Sequence, residues 1–288
     1  MHELFLDYIK AAGRKDKTLE SYRDGFAAFH RFCDTQTGER PSLIKLTGMD
    51  LRAWKSDMLA KRQAPATINH RLGLLKHFAE WATRAGHLTQ LQLEAIRAVP
   101  EIATQKLGVV TLEPEPFRRF LRAVEMSPSK RDQAIIHLLL NGLRVSELVG
   151  LSVEDVSVTL NRGSVVIRGE HVKRSSHRDV PLGRQTRLYL KSYLDHESPT
   201  GPVFMGQRGP ITESGVDKIV RRYGAAVGVQ THCHLLRHQF GELYLNENPG
   251  DLVGLQHLLG HASVDTTARH YVRKRFSDLE TGVDKIDL

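Results

Sequence analysis

Residues 231–271 read THCHLLRHQFGELYLNENPGDLVGLQHLLGHASVDTTARHY, and the rest of the chain is organised around this stretch. It opens with His234-Leu-Leu-Arg237, a His and an Arg three apart, so on a helix both side chains project from one face. His261 follows Gly260, and Tyr271 lies ten residues further on. Imidazole, guanidinium and phenol together suit attack on a phosphodiester. Arg keeps its charge and grips phosphate oxygens in a two-pronged fork. A phenol, with a free pKa of about 10, needs a strongly positive pocket or a base before it becomes a nucleophile. His-x-x-Arg is a weak signal by itself, so the remaining groups have to come from upstream.

Bulk composition bounds the answer. A chain of 288 residues suffices for one large or two modest domains. Its 40% hydrophobic and 26% charged content is ordinary for a soluble globular protein. The formal charge of +8 favours a polyanionic partner, and the basic excess is steeper ahead of Ala98 than after it. Cys33 and Cys233 form neither a disulfide framework nor a zinc-type spacing, which fits a reducing, cytoplasmic setting. The first residues, MHELFLDYIKAAGRKDK, lack the pattern of a secretory signal. No apolar run is long enough to span a bilayer, so no membrane partner is expected.

Upstream, the N-terminal third reads as helical. A short helix is expected over 3–12. A second over 17–34 carries Leu19, Tyr22, Phe26, Phe29 and Phe32 or Cys33 at helical spacing. Asp50 can cap a third through about Leu59, and Pro65 opens a fourth that runs to about Arg84. Four helices with short links make a small bundle, residues 1–95. Its last helix and the loop before it carry Lys61, Arg62, Gln63, Thr67, Asn69, His70, Arg71 and Lys76. Such a set is either a solvated face or a helix laid along DNA, with cations on phosphates and Asn69 or Gln63 near base edges. The local charge excess favours the second. From Thr89 periodicity fades and Pro100, Gly108 and Pro114 appear, so an interdomain linker is expected over 96–112.

Residues 113–288 make the second domain. Helices are expected over 114–126 and from Lys130 to Asn141, the latter buried and ended by Asn141-Gly142. Leu143-Arg144-Val-Ser-Glu147-Leu follows. Here Glu147 is either a surface ion-pair partner of Arg144 or the carboxylate that orients Arg144 toward a phosphate. Ser164–Ile167 and Arg178–Leu182 read as strands flanking a turn that contains Lys173. A turn lysine is commonly just solvated. Helices over about 184–197 and 212–227 lead back to the opening stretch.

Taken in order, Leu143-Arg144-Val-Ser-Glu147-Leu, Lys173 ahead of Val180-Pro181-Leu182, His234-Leu-Leu-Arg237, Leu259-Gly260-His261 and Thr266-Thr267-Ala-Arg-His-Tyr271 resemble the tyrosine recombinases, also called phage-integrase or Xer-type recombinases. Each motif is weak alone, and five in order are strong. The match covers 114–271, and the bundle ahead of it looks like the family's SAM-like core-binding domain. Two departures stand out. Tyr271 follows His261 by ten residues where Xer-type members usually have nine, and the lysine turn is longer than their tight Gly-Lys-Gly form. Arg174 and Lys191 are distant rivals to Lys173, and Tyr223 and Tyr244 read as core or surface.

The resemblance implies a mainly α fold with a small antiparallel β-sheet, a helical core-binding domain and a mixed α/β catalytic domain. It also implies site-specific DNA recombination through a 3′-phosphotyrosyl intermediate. In that scheme Tyr271 is the nucleophile, while Arg144 and Arg237 clamp the phosphate. His234 and His261 hydrogen-bond its oxygens, Lys173 protonates the leaving 5′-oxygen, and Glu147 supports Arg144. Neither metal nor cofactor is called for. Partners would be double-stranded DNA and further copies in a synapsed homo-tetramer, or a paralogous recombinase. Val272, Phe276, Leu279, Val283 and Ile286 fall at helical spacing and suit a tail that packs on its own domain or docks on a neighbour. Three rivals remain: a metallohydrolase built on His232, His234, His238, His257 and His261, a non-catalytic DNA-binding protein, and a type IB topoisomerase-like relaxing enzyme.

Overall fold

The computed structural model describes residues 1–14, 16–37, 43–103, 111–168 and 177–260. The chain divides into two compact units, Met1–Lys106 and Leu107–Leu288.

The first unit contains α1 (His2–Ala11), α2 (Asp16–Thr37), α3 (Gly48–Ala60), α4 (Pro65–Arg84) and α5 (Gln90–Arg97). The positions that helical spacing turns inward on α2, among them Leu19, Phe26 and Phe29, are all buried, as are Ile68, Leu72 and Phe78 on α4. The core is aromatic. Phe5 on α1 is fully buried, with the rings of Tyr22, Phe26, His77, Phe78 and Trp81 between 5.2 and 6.1 Å away, most of them edge-on. Edge-to-face contacts set the electropositive ring edge against the neighbouring π-face, adding to the roughly 1.5–3 kcal/mol that burial of each such side chain contributes.

Two details depart from the pattern-based expectation. Thr47, not Asp50, caps α3; Asp50 sits three residues later, and its carboxylate accepts from the Thr47 amide at 2.8 Å. The expected four-helix bundle also has a fifth member, α5, where the sequence periodicity fades. Thr89 and Gln92 close a capping box at its start, and Leu93 and Ile96 are its buried residues. Eight residues give a periodic signal too short to register. Val99 is also fully buried and Ile102 packs on the same core, so the segment expected to begin the linker at 96 belongs to this domain.

The second unit contains α6 (Pro114–Glu125), α7 (Lys130–Leu139), α8 (Val145–Val149), β1 (Val156–Val158), β2 (Gly163–Ile167), β3 (Arg178–Pro181), α9 (Arg184–Glu197), β4 (Met205–Gly206), β5 (Gly209–Pro210), α10 (Glu213–Ala226), α11 (Cys233–Glu247) and α12 (Leu252–Leu259). α7 runs through its centre, with Ala134, Ile135, Ile136, Leu138 and Leu139 all fully buried. The sheet is antiparallel in the order β1-β2-β3, and Val165 on β2 sits opposite both Val156 and Val180. From it Val165, Ile167 and Val180 face inward, so the sheet's share of this core is aliphatic. β1, at three residues, and the β4–β5 pair were not anticipated, because pieces that short have no readable alternation. The architecture is otherwise the expected one, mostly helical with small antiparallel sheets.

Candidate active site

The helix-ending sequence after α7 creates the site. Gly142 takes φ +90, and a Cβ there would lie 2.6 Å from the Phe240 ring, so only glycine allows this turn against α11. The Asn141 side chain fastens the turn to the end of β3, donating to the Pro181 carbonyl at 2.9 Å and accepting from the Gly183 amide at 2.8 Å. The turn delivers Arg144 as the N-cap residue of α8 and Glu147 three residues on.

Glu147 is the hub. Its Oε1 accepts from Arg144 Nη1 at 2.7 Å and from Arg178 Nη1 at 2.8 Å. Its Oε2 accepts from the Arg144 amide at 2.8 Å and from Arg178 Nη2 at 3.0 Å, with Arg237 Nη1 at 3.8 Å. Burial by itself pushes this carboxyl's pKa up. Hydrogen bonds from Arg178 and from the Arg144 amide and side chain outweigh that, and the group titrates below its ordinary value. Three guanidinium groups thus converge on one carboxylate, leaving a surplus of positive charge.

The three arginines differ in access. Arg237, on α11, has a side chain only 3% exposed and donates to the carbonyls of Gly142 and Leu259. Arg144 is 38% exposed and sends its second terminal nitrogen to the Gly260 carbonyl at 2.8 Å. Gly260 ends α12 in the left-handed conformation, φ +61. Arg144 and Arg237, which lie far apart in the chain, are therefore gathered on one carboxylate. His234 is exposed one turn before Arg237 on α11, its ring T-shaped against His238 at 4.3 Å. Lys173, His261 and Tyr271 lie outside the described residues, as do Arg174 and the apolar tail positions from Val272 to Ile286.

Arg178 is the member that sequence reasoning missed. It sits on β3 two before Val180 and four before Leu182, both buried. Alternation puts it on the inward face, and an inward-facing arginine requires a carboxylate. That was the available signal.

Other candidates have structural occupations. The Tyr223 hydroxyl is within 2.6 Å of Ser127 Oγ and 3.3 Å of Asp132 Oδ2, and Tyr244 donates to Asp251 at 2.6 Å. Lys191 pairs with Asp195 one turn away at 2.9 Å. His232 caps α11 by accepting the Leu235 amide at Nδ1, which leaves its proton on Nε2. Cys233 is buried and its thiol is pushed up to about 12, far from the thiolate a metal would select. Among the described residues no three His, Cys, Asp or Glu side chains gather to hold a metal ion, and no helix is long and apolar enough to cross a membrane.

In the first unit, α4 and the loop ahead of it present the second group of candidates. Asn69 is committed within its own domain, donating to the Ile102 carbonyl and accepting its amide, both at 2.8 Å. Lys76 donates to the Val99 carbonyl at 2.7 Å, Lys61 pairs with Asp57 at 2.8 Å, and Arg71 donates to Gln63 at 2.6 Å. His70 meets Ser21 on α2 at 2.8 Å, and Arg62 and Thr67 are exposed. Lys17, Ser21, Thr67, His70 and Arg71 line a groove between α2 and α4, together with the acidic Glu20 and Asp24.

Comparison with known proteins places this arrangement. Residues 111–278 match the phage integrase family, and residues 3–86 match the phage integrase N-terminal SAM-like domain. Tyrosine recombinase XerC of Thermodesulfovibrio yellowstonii is 28% identical over 284 residues, covering 91% of this chain and 88% of the relative. Tyrosine recombinase XerC of Staphylococcus aureus is 29% identical over 286 residues, covering 94% and 91%. Among solved structures, the Tn1549 transposon integrase in complex with a circular intermediate DNA superposes with a TM-score of 0.75 at 18% identity, covering 99% of this chain and 98% of its own. A lambda integrase dimer bound to a core site gives 0.73 at 19% identity, covering 95% and 97%. At these identities the structural likeness speaks for the fold.

Proposed function

Because the chain belongs to the phage integrase family, we propose that it is a site-specific DNA recombinase that cuts and rejoins DNA through a 3′-phosphotyrosyl intermediate at Tyr271. One observation carries the reading: Glu147 collects Arg144, Arg178 and Arg237 into a cluster with more positive than negative charge, part of it open to solvent. A scissile phosphate gains negative charge on its non-bridging oxygens as it becomes pentacoordinate, and cations already in place there stabilise it by several kcal/mol.

In this scheme the Tyr271 phenolic oxygen attacks phosphorus and forms the phosphotyrosyl ester as the bond to the 5′-oxygen breaks. His234 takes the phenolic proton, and Lys173 supplies one to the departing 5′-hydroxyl. Arg144 and Arg237 clamp the non-bridging oxygens, with His261 donating a hydrogen bond to the same group. The ester conserves the energy of the broken bond, so a 5′-hydroxyl can reverse the step without ATP. Residues 113–288 carry this chemistry, and the N-terminal domain grips the duplex through the α2–α4 groove and its rim. Arg62, Thr67, His70 and Arg71 serve there, while Asn69 serves the domain's own fold. Synapsis of two duplexes in a homo-tetramer, or with a paralogous partner, supports dimer or cointegrate resolution or compact integration.

The test is covalent trapping. On a nicked duplex carrying a sequence selected by the protein from a random library, the wild type is expected to give a denaturant-stable protein–DNA adduct, and Tyr271→Phe none. An adduct that survives in Tyr271→Phe would remove the nucleophile. Binding is expected to weaken steeply with salt, and Arg71→Ala to reduce the log–log salt slope by about 1 without changing the preferred sequence.

A further inference from the structure

We propose that Arg178 is a positioning residue for strand cleavage: it holds Glu147, and through it Arg144, while bracing the backbone at Gly260 beside His261. The inference rests on the recombinase reading and adds a member to its site.

Among the three arginines around Glu147, Arg178 is the one with both terminal nitrogens on the carboxylate, at 2.8 and 3.0 Å. Arg144 gives Glu147 one terminal nitrogen and directs the other to Gly260. Arg237 approaches no nearer than 3.8 Å and donates to backbone carbonyls. Arg178 therefore does most to neutralise Glu147. Without it the carboxylate would draw Arg144 and Arg237 onto itself as counterions and away from a phosphate. With it, their charge stays available.

A second contact points the same way. A Cβ built on Gly260 would lie 2.8 Å from Arg178 Cζ, so the guanidinium rests against the backbone of the residue that precedes His261. The side chain is only 16% exposed, and its buried Nε makes no hydrogen bond among the described residues. The carboxylate fork and the Gly260 contact are thus what orient its plane. Arg178 also opens β3, the strand that leaves the segment bearing Lys173. One side chain therefore touches the support of Arg144 and the backbone beside His261, from the strand that follows Lys173.

The experiment uses the full chain and the selected nicked duplex described above. It measures the single-turnover rate of adduct formation at saturating DNA, the Kd for that duplex and the thermal midpoint. Arg178→Lys keeps the charge and loses the fork, and should slow adduct formation on the order of 100-fold, with Kd within about threefold of wild type. Arg178→Gln combined with Glu147→Gln should lose less than the product of the two single losses, because both act through one contact. An adduct rate for Arg178→Lys within about threefold of wild type overturns the proposal. So does a loss of DNA affinity as large as the loss of rate, or full rescue by lysine of a defect seen only in Arg178→Gln. Failure of the wild type itself to form an adduct would strike the recombinase reading instead, so the two failures are distinguishable.

Discussion

Two clusters of basic side chains, one on α4 and one around Glu147, use their charges in opposite ways. On α4 and the segment ahead of it several polar and basic groups have partners of their own: Lys61 with Asp57, Arg71 with Gln63, Lys76 with a carbonyl, Asn69 with Ile102. Of these, the Lys61–Asp57 pair is the one open enough for water to screen, and it is worth little, while Arg71, Lys76 and Asn69 make part-buried hydrogen bonds. Around Glu147 three guanidiniums share one mostly buried carboxylate, so charge is concentrated rather than matched. The first arrangement spreads its charge in small, separately partnered contacts. The second suits a fixed cradle for one phosphate. Charge count along the sequence finds the first; only partner sharing reveals the second.

The contrast can be broken most severely at its hub. Glu147→Ala strands three cations, of which Arg237 is buried, and is expected to destabilise the catalytic domain by about 3 kcal/mol or more, read from chemical denaturation. Adduct formation should fall on the order of 100-fold or more alongside it. A variant as stable as wild type would mean the arginines do not depend on their shared partner.

Acid supplies the next largest effect, since it separates a buried polar group that has charge partners from one whose Nε2 has no hydrogen-bond partner among the described residues. His137 is buried on α7, stacked on Tyr189 at 4.2 Å, and burial pushes its imidazole down to about 4. The unfolded chain then binds a proton that the folded chain refuses between about 6.5 and 4, so stability is lost as pH falls through that window, by roughly 3 kcal/mol in full. Glu147 has the opposite history. Its folded pKa is depressed, so its contribution is present above the unfolded value of about 4.3 and is lost only below it, as pH falls through the folded value. Melting His137→Phe between pH 7 and 4.5 should show a flatter pH dependence than wild type, and Glu147→Gln should not. Parallel curves for His137→Phe and wild type would refute the assignment.

Smaller effects are expected on α4 and the segment ahead of it. Asn69→Ala removes both hydrogen bonds to Ile102 and is expected to cost about 1–2 kcal/mol of N-terminal-domain stability, leaving the salt slope of DNA binding unchanged. A lowered slope would return Asn69 to the DNA face. Lys61→Ala removes a mostly exposed pair and should change stability by less than about 1 kcal/mol. A larger shift would show that this face is not simply solvated.

The recombinase motifs were legible because their chemistry is local. Arg144, Glu147 and Arg237 are set by short patterns around helix starts, and helical spacing exposed the cores of α2 and α4. α5 escaped notice because two buried residues in eight leave little periodicity, and Asn69 looked like a base reader because its partner, Ile102, lies 33 residues away. Arg178 was in view as a strand residue, but its carboxylate lies 31 residues back, across a turn and a sheet.

The sequence by itself determined the helical bundle, the ordered motifs and the family, because propensity, spacing and residue chemistry act over a few neighbouring positions. Tertiary structure decided how charge is shared. Which arginine neutralises Glu147, which remain open to a phosphate and which polar groups of α4 are already bonded at home depend on contacts between residues distant in the chain. Coulomb and hydrogen-bond energies follow distance in space, not distance along the polypeptide.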